Sequence, residues 1–214
     1  MPLVRRAVLA AMALLAAGAA QAPELPFPGS LTVAQGRLQA SLDLSAAFPP
    51  EMDRALRDGL SHVVTIHVSL VPAAGGAPLS AWAREVEVLW DLWEERFDVT
   101  ATDPEHPRGR ALHFRDFHGL RAFLSEAREL DLGAATALGA ERWVMVARVE
   151  LDPVEEIVDR TRELIRGQRS GQGPDAGHSV LGAMASYLLG SGGGEGQARF
   201  FRSRPFALRD GTLK

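Results

Sequence analysis

The feature that most restricts how this chain can fold is a two-residue alternation of apolar and polar side chains that returns in one stretch after another. Leu38, Ala40, Leu42 and Leu44 alternate with Arg37, Gln39, Ser41 and Asp43, and Val64, Ile66, Val68 and Leu70 alternate with Thr65, His67 and Ser69. Val86, Val88 and Trp90 stand against Glu85 and Glu87, and Phe97, Val99 and Ala101 against Arg96, Asp98 and Thr100, with a turn near Asp91 to Glu94 making the two a hairpin. Trp143, Met145, Ala147, Val149 and Leu151 form a further set, in which Val144 and Val146 on the second face indicate a central position. Successive side chains of a strand point to opposite faces, so each stretch predicts a strand with one face buried. Shorter strands are expected around Leu31 and Val33, over Ala111 to Phe114, and over Ala198 to Leu208 with Phe200, Phe201 and Phe206.

Helical spacing interrupts this pattern. Pro49 and Pro50 preset a first turn for Met52, Ala55 and Leu56, and Gly59 ends it. Asp116 is placed as an N-cap before the stripe Phe117, Leu120, Phe123, Leu124 and Ala127. Asp152, Pro153 and Glu155 read as N-cap, first helical position and capping-box acid ahead of Val154, Ile157, Val158, Thr161 and Ile165. A fourth apolar helix is expected over Val180 to Leu189, between the Gly-rich runs 167–177 and 190–196. Together these elements predict a mainly β (α+β) fold, an antiparallel β-sandwich-like domain of about seven or eight strands with three or four interspersed helices.

The N-terminus reads as an address. Arg5 and Arg6 precede the apolar run Ala7 to Ala17, and small residues continue to Ala22, the pattern of a secretory signal peptide cut after Ala19, Ala20 or Ala22. An uncleaved anchor is the alternative, but the apolar core is shorter than the ~20 residues that span a bilayer. The expected organisation is a signal peptide at 1–22, a Pro-rich leader at 23–29, a single exported domain at 30–208 with a Gly-rich flexible insertion at 167–196, and a tail at 209–214. The chain has no cysteine, so disulfides, thiolate metal sites and lipid attachment are absent and stability must come from packing. Without Arg5 and Arg6, 21 basic residues face 27 acidic ones, a net charge of −6. That balance argues against nucleic acid or an anionic membrane as the main partner.

Several stretches resemble the bacterial family catalogued as domain of unknown function 4390. They are the hairpin Val86-Glu87-Val88-Leu89-Trp90-Asp91-Leu92-Trp93-Glu94-Glu95-Arg96-Phe97-Asp98-Val99, the helix end Ala55-Leu56-Arg57-Asp58-Gly59, the segment Phe114 to Phe123, and the closing Phe201-Arg202-Ser203-Arg204-Pro205-Phe206. The resemblance covers about residues 30 to 208 and departs from the family pattern in the Gly-rich stretch 167–196. It implies export, a single domain and no established activity. Some members are encoded beside a membrane sensor kinase of the nitrogen-regulation type, which implies a periplasmic accessory role by association.

Candidate chemistry is sparse. A metal site would need His113, His118 and Asp116 to converge across a strand end and a helix start, whereas His62 and His67 lie five apart on one strand and so on opposite faces. Glu94, Glu95 and Asp98 sit at a hairpin turn in water, where nothing raises the pKa of one acid as glycoside hydrolysis requires. No serine occupies Gly-x-Ser-x-Gly, and the only lysine is Lys214, which removes Ser-x-x-Lys and phosphate-loop chemistry. Trp82 and Trp93 are the aromatic residues that could hold a small apolar or sugar ligand, the others falling on core faces. No cofactor is implied. The functional expectation is a non-enzymatic binding or accessory protein of the periplasm or extracellular space, with an envelope protein partner and no stable membrane insertion after signal cleavage. The alternatives are a carrier using Trp82 and Trp93, and a metal-dependent hydrolase built on His113, Asp116 and His118.

Overall fold

The structure is a computed structural model and describes residues 24–169, 197–209 and 212–213. Residues 1–23, which include the expected signal peptide, and most of the Gly-rich segment, including Val180 to Leu189, lie outside the described residues. Twelve strands are described: β1 (Glu24–Pro26), β2 (Gly29–Ala34), β3 (Arg37–Asp43), β4 (Ser61–Pro72), β5 (Ser80–Asp91), β6 (Arg96–Thr102), β7 (Arg110–Phe114), β8 (Glu126–Ala134), β9 (Trp143–Leu151), β10 (Gln197–Arg202), β11 (Leu208–Arg209) and β12 (Thr212–Leu213). Three α-helices accompany them, α1 (Met52–Leu56), α2 (Phe117–Ser125) and α3 (Glu155–Arg169). No helix among the described residues is long and apolar enough to cross a membrane.

Seven strands form the main sheet in the order β1-β10-β9-β4-β5-β6-β7, and β2-β3-β8 form a second sheet. Pairing is antiparallel except between β1 and β10. The fold is therefore the expected mainly antiparallel, sandwich-like α+β domain. Its core forms where Val64, Ile66, Val68 and Leu70 of β4, with Val86 and Val88 of β5 and Met145, Ala147 and Val149 of β9, meet Leu38, Ala40 and Leu42 of β3 and Leu130 and Leu132 of β8. Helix α2 adds Leu120 and Leu124 to the same cluster. Phe48, Phe97 and Phe201 are among the largest fully buried side chains, each contributing roughly 1.5–3 kcal/mol by leaving water.

The opposite face of the main sheet is covered by α3. Ile157, Leu164 and Ile165 pack on Ala81 and Ala83 of β5, whose small side chains let the helix approach. Central in the sheet, β4 pairs with β5 on one side and β9 on the other, so Thr65 and His67, polar in pattern, are fully buried.

Several boundaries differ from the expected ones. Helix α2 stops at Ser125, and Ala127, expected on its stripe, belongs to β8. Strand β8 escapes the two-residue reading because Glu129 adopts φ 52° and the register with β3 shifts, so buried Ala127 and Leu130 are three apart rather than two. A bulge of this kind breaks the pattern that reveals a strand. Asp152 does not cap α3. It adopts φ 49°, and its carboxylate accepts Val63 N–H at 2.9 Å on β4 while α3 begins at Glu155. The Pro-rich leader carries β1, and the expected last strand is shorter, with Phe206 bridging to Trp143 before β11 pairs with β12 in the tail.

Candidate functional site

Strands β5 and β6 are joined by Leu92, Trp93, Glu94 and Glu95, a turn in which two large apolar residues take positions usually held by Gly, Asn, Asp or Ser. Asp91 fixes its shape. The Asp91 Oδ1 accepts Trp93 N–H at 2.8 Å and Glu94 N–H at 3.1 Å, and Glu95 closes the loop at φ 49°. Just inside, Trp90 and Phe97 meet edge to face with centroids 4.7 Å apart, and the Arg57 guanidinium lies 3.9 Å above Trp90. The turn thus stands on a packed base and holds Trp93 outward, 95% exposed, beside Leu92 at 67%.

The neighbouring loop between α1 and β4 extends the apolar surface. Gly59 needs φ 85°, and a Cβ there would lie 3.9 Å from Leu92 Cδ1, so the two turns are neighbours. Leu60 is 65% exposed, and Leu89, opposite Ser61 in the β4–β5 register, is 41% exposed. Asp58 shapes this loop by accepting Leu60 N–H at 2.8 Å, and it also accepts His62 Nε2–H at 3.0 Å. The other ring nitrogen, Nδ1, donates to Asp152 Oδ2 at 2.8 Å. Carboxylates have only acceptors, so both ring nitrogens need a proton and the geometry is that of an imidazolium. Burial opposes the charge on His62, but the hydrogen bonds it donates to Asp152 and Asp58 outweigh it and its pKa is raised.

Beneath α3 lies a second polar region. His67 Nε2–H donates to Thr161 Oγ1 at 2.9 Å, and the Thr161 hydroxyl donates to Ile157 O at 2.6 Å. Full burial, with the Arg148 guanidinium nearby, pushes the His67 pKa down to about 3. Arg148 and Glu150, both 1% exposed, pair at 2.8 Å, and Arg148 lies 4.7 Å over the Phe200 ring. Arg162 of α3 forks onto Glu85 at 2.8 and 2.9 Å, tying the helix to β5. These groups act as a polar seam that positions the helix.

The residues singled out by sequence are dispersed. Trp82 is buried in the core near the start of β5 with Arg84 5.0 Å from its ring, while Trp93 stands beyond the other end of that strand. The pair therefore cannot line one groove, because about ten residues of extended chain separate them. His113 Nδ1 donates to Asp98 Oδ1 at 2.7 Å, and Asp116 caps α2 by accepting Gly119 N–H at 2.8 Å. Partial burial opposes ionisation of Asp98, but hydrogen bonds from His113 and Arg96 prevail and its pKa is lowered. His118 is exposed and lines a cleft of about 660 Å³ between β2–β3 and α2, with Arg121, Arg128, Asp43 and Glu126. His113, Asp116 and His118 thus serve three separate environments and do not converge. Among the described residues, Asp103, Glu105 and His106 are the group with metal-ligating atoms within 4.8 Å of one another. Asp103 Oδ1 is already occupied there, accepting the Glu105 and His106 backbone N–H groups at 3.1 and 2.9 Å.

Leu60, Leu89 and Leu92 were not singled out by the sequence. The available signal was positional, since an apolar pair at a turn between two alternating strands has no core to face. Comparison of the chain with protein-family models, with curated proteins and with solved structures found no match to any of them.

Proposed function

We propose that this protein is an exported, non-enzymatic binding or accessory module of the bacterial envelope that works by docking a protein partner on the tip of its β5–β6 hairpin. One observation carries the reading: Trp93, 95% exposed, is held outward by the Asp91 turn on a packed base instead of being left on a loose loop. A solvated tryptophan on a fixed backbone leaves only its two side-chain torsions to be ordered by a partner, and such residues dominate binding energy at interfaces. The secretory pattern at residues 1–22 supports export to the periplasm or beyond, and the family resemblance supports a membrane sensor kinase as the partner class.

Crosslinking in intact cells, followed by affinity capture, tests the proposal. Wild-type chain is expected to capture one envelope protein, and Leu92→Ser/Trp93→Ser to lose it while still being exported. Equal capture by both chains, or recovery of the uncut precursor from the cytosol, overturns it.

A further inference from the structure

The docking reading leaves the partner's chemistry open, and the residues around the tip narrow it. Leu60, Leu89, Leu92 and Trp93 are exposed apolar residues of this corner, and Asp58, Glu87, Asp91, Glu94 and Glu95 lie within two residues of them along the two turns and the end of β5. Positive charge nearby is already engaged: Arg57 pairs with Asp53 at 2.6 Å and covers Trp90, and Arg96 pairs with Asp98 at 2.9 Å and Glu94 at 4.0 Å. The His62 imidazolium is divided between Asp58 and Asp152, so Asp91, Glu95 and Glu87 stay without an ion pair to these three cations. The rim is therefore net acidic. We infer that the two neighbouring turns form one composite surface for a protein segment that presents apolar side chains flanked by arginine or lysine. The inference rests on the docking reading above.

Two physical arguments favour this occupant. An apolar patch with an acidic rim repels anionic lipid headgroups and attracts a cationic rim, so complementarity selects a basic protein segment over a bacterial membrane surface. Both turns are also held by their own carboxylates, Asp91 on Trp93 N–H and Asp58 on Leu60 N–H, so the backbone that carries the apolar side chains is set before a partner arrives. Four exposed side chains make a small surface, which suits a transient contact better than an obligate one. Partner charge then governs association rate and salt dependence, while the apolar residues govern dissociation.

The test uses the full chain and three fluorescently labelled peptides of equal length: an amphipathic Leu/Arg peptide, its Leu/Glu counterpart, and a Ser/Arg peptide with the charge of the first. The Leu/Arg peptide is expected to bind at least about tenfold more tightly than either other, because only it satisfies both the apolar patch and the rim. Trp93→Ser and Leu92→Ser should each weaken it about tenfold or more without lowering the melting temperature, since neither side chain is buried. Val154→Ser, at an exposed apolar residue elsewhere, should change nothing. Raising salt should weaken the wild-type complex several-fold. Equal or tighter binding of the Leu/Glu peptide, or of phosphatidylcholine vesicles, overturns the assignment, and so does Leu/Arg binding indifferent to Trp93→Ser. Loss of cellular capture in Leu92→Ser/Trp93→Ser without peptide discrimination sinks the partner class alone. Absence of both capture and peptide binding sinks the docking reading with it.

Discussion

Acidification should destabilise this protein through one buried imidazole, His67, before its carboxylates begin to titrate. The unfolded chain binds a proton on this residue below its ordinary pKa of 6.5, whereas the folded chain, having desolvated the ring and set it near Arg148, resists protonation down to about 3. Over that interval the unfolded state carries more protons, so stability falls as pH falls. One pKa unit corresponds to about 1.4 kcal/mol, and lowering pH from 6.5 to about 5 should therefore remove about 2 kcal/mol. For a domain of this size that is a drop of roughly 4–8 °C in melting temperature. His62 does not contribute in this window: its pKa is raised, so its stabilisation is fully present below 6.5 and is lost only as pH rises through the folded value. The assay is urea unfolding of wild type and His67→Gln at several pH values between 7 and 5. Gln retains a donor for Thr161 Oγ1, and its curve should be nearly flat where the wild type slopes, whatever its absolute stability. Equal slopes for the two chains, or an NMR titration of His67 near its ordinary pKa, would refute the reasoning.

Above pH 6.5 the order reverses: the melting temperature of the wild type should decline toward that of His62→Gln as His62 loses one of the two ring protons it donates to Asp58 and Asp152, and parallel curves would contradict an imidazolium at this corner. Asp116→Ala should lower stability by about 1 kcal/mol through the lost N-cap of α2, and adding zinc or manganese should not alter the stability of either chain. Gly109→Ala should cost roughly 1–3 kcal/mol in thermal unfolding, because φ is 80° and the new Cβ would sit 2.9 Å from Thr100 Cγ2.

Much of the architecture was readable wherever a strand alternates without interruption. The β5–β6 hairpin fell where expected, and a turn at Gln35 and Gly36, with φ 52° and 74°, joins the expected strand around Leu31 and Val33 to the alternating stretch from Leu38. Asp116 caps its helix as its position predicted. Readings failed where one side chain had a nonlocal competitor. Asp152 has the sequence of an N-cap, yet His62 and Val63, some ninety positions earlier, claim its carboxylate. Strand β8 was hidden by the bulge at Glu129. Trp93 was visible as a residue of interest, but its pairing with Trp82 was not a spatial one, since strand length separates them.

Local pattern alone determined that the chain builds strands with one apolar face, places its turns and three helices, and folds without disulfides, because pleat geometry, capping and the absence of thiols act over a few residues. Tertiary structure decided the rest. Strand order placed His67 and Thr65 under α3 instead of in water, and the approach of two turns brought the loop of Gly59 and Leu60 beside Leu92. Burial and proximity arise from which elements pack together, and a side chain's own neighbours in sequence do not specify that.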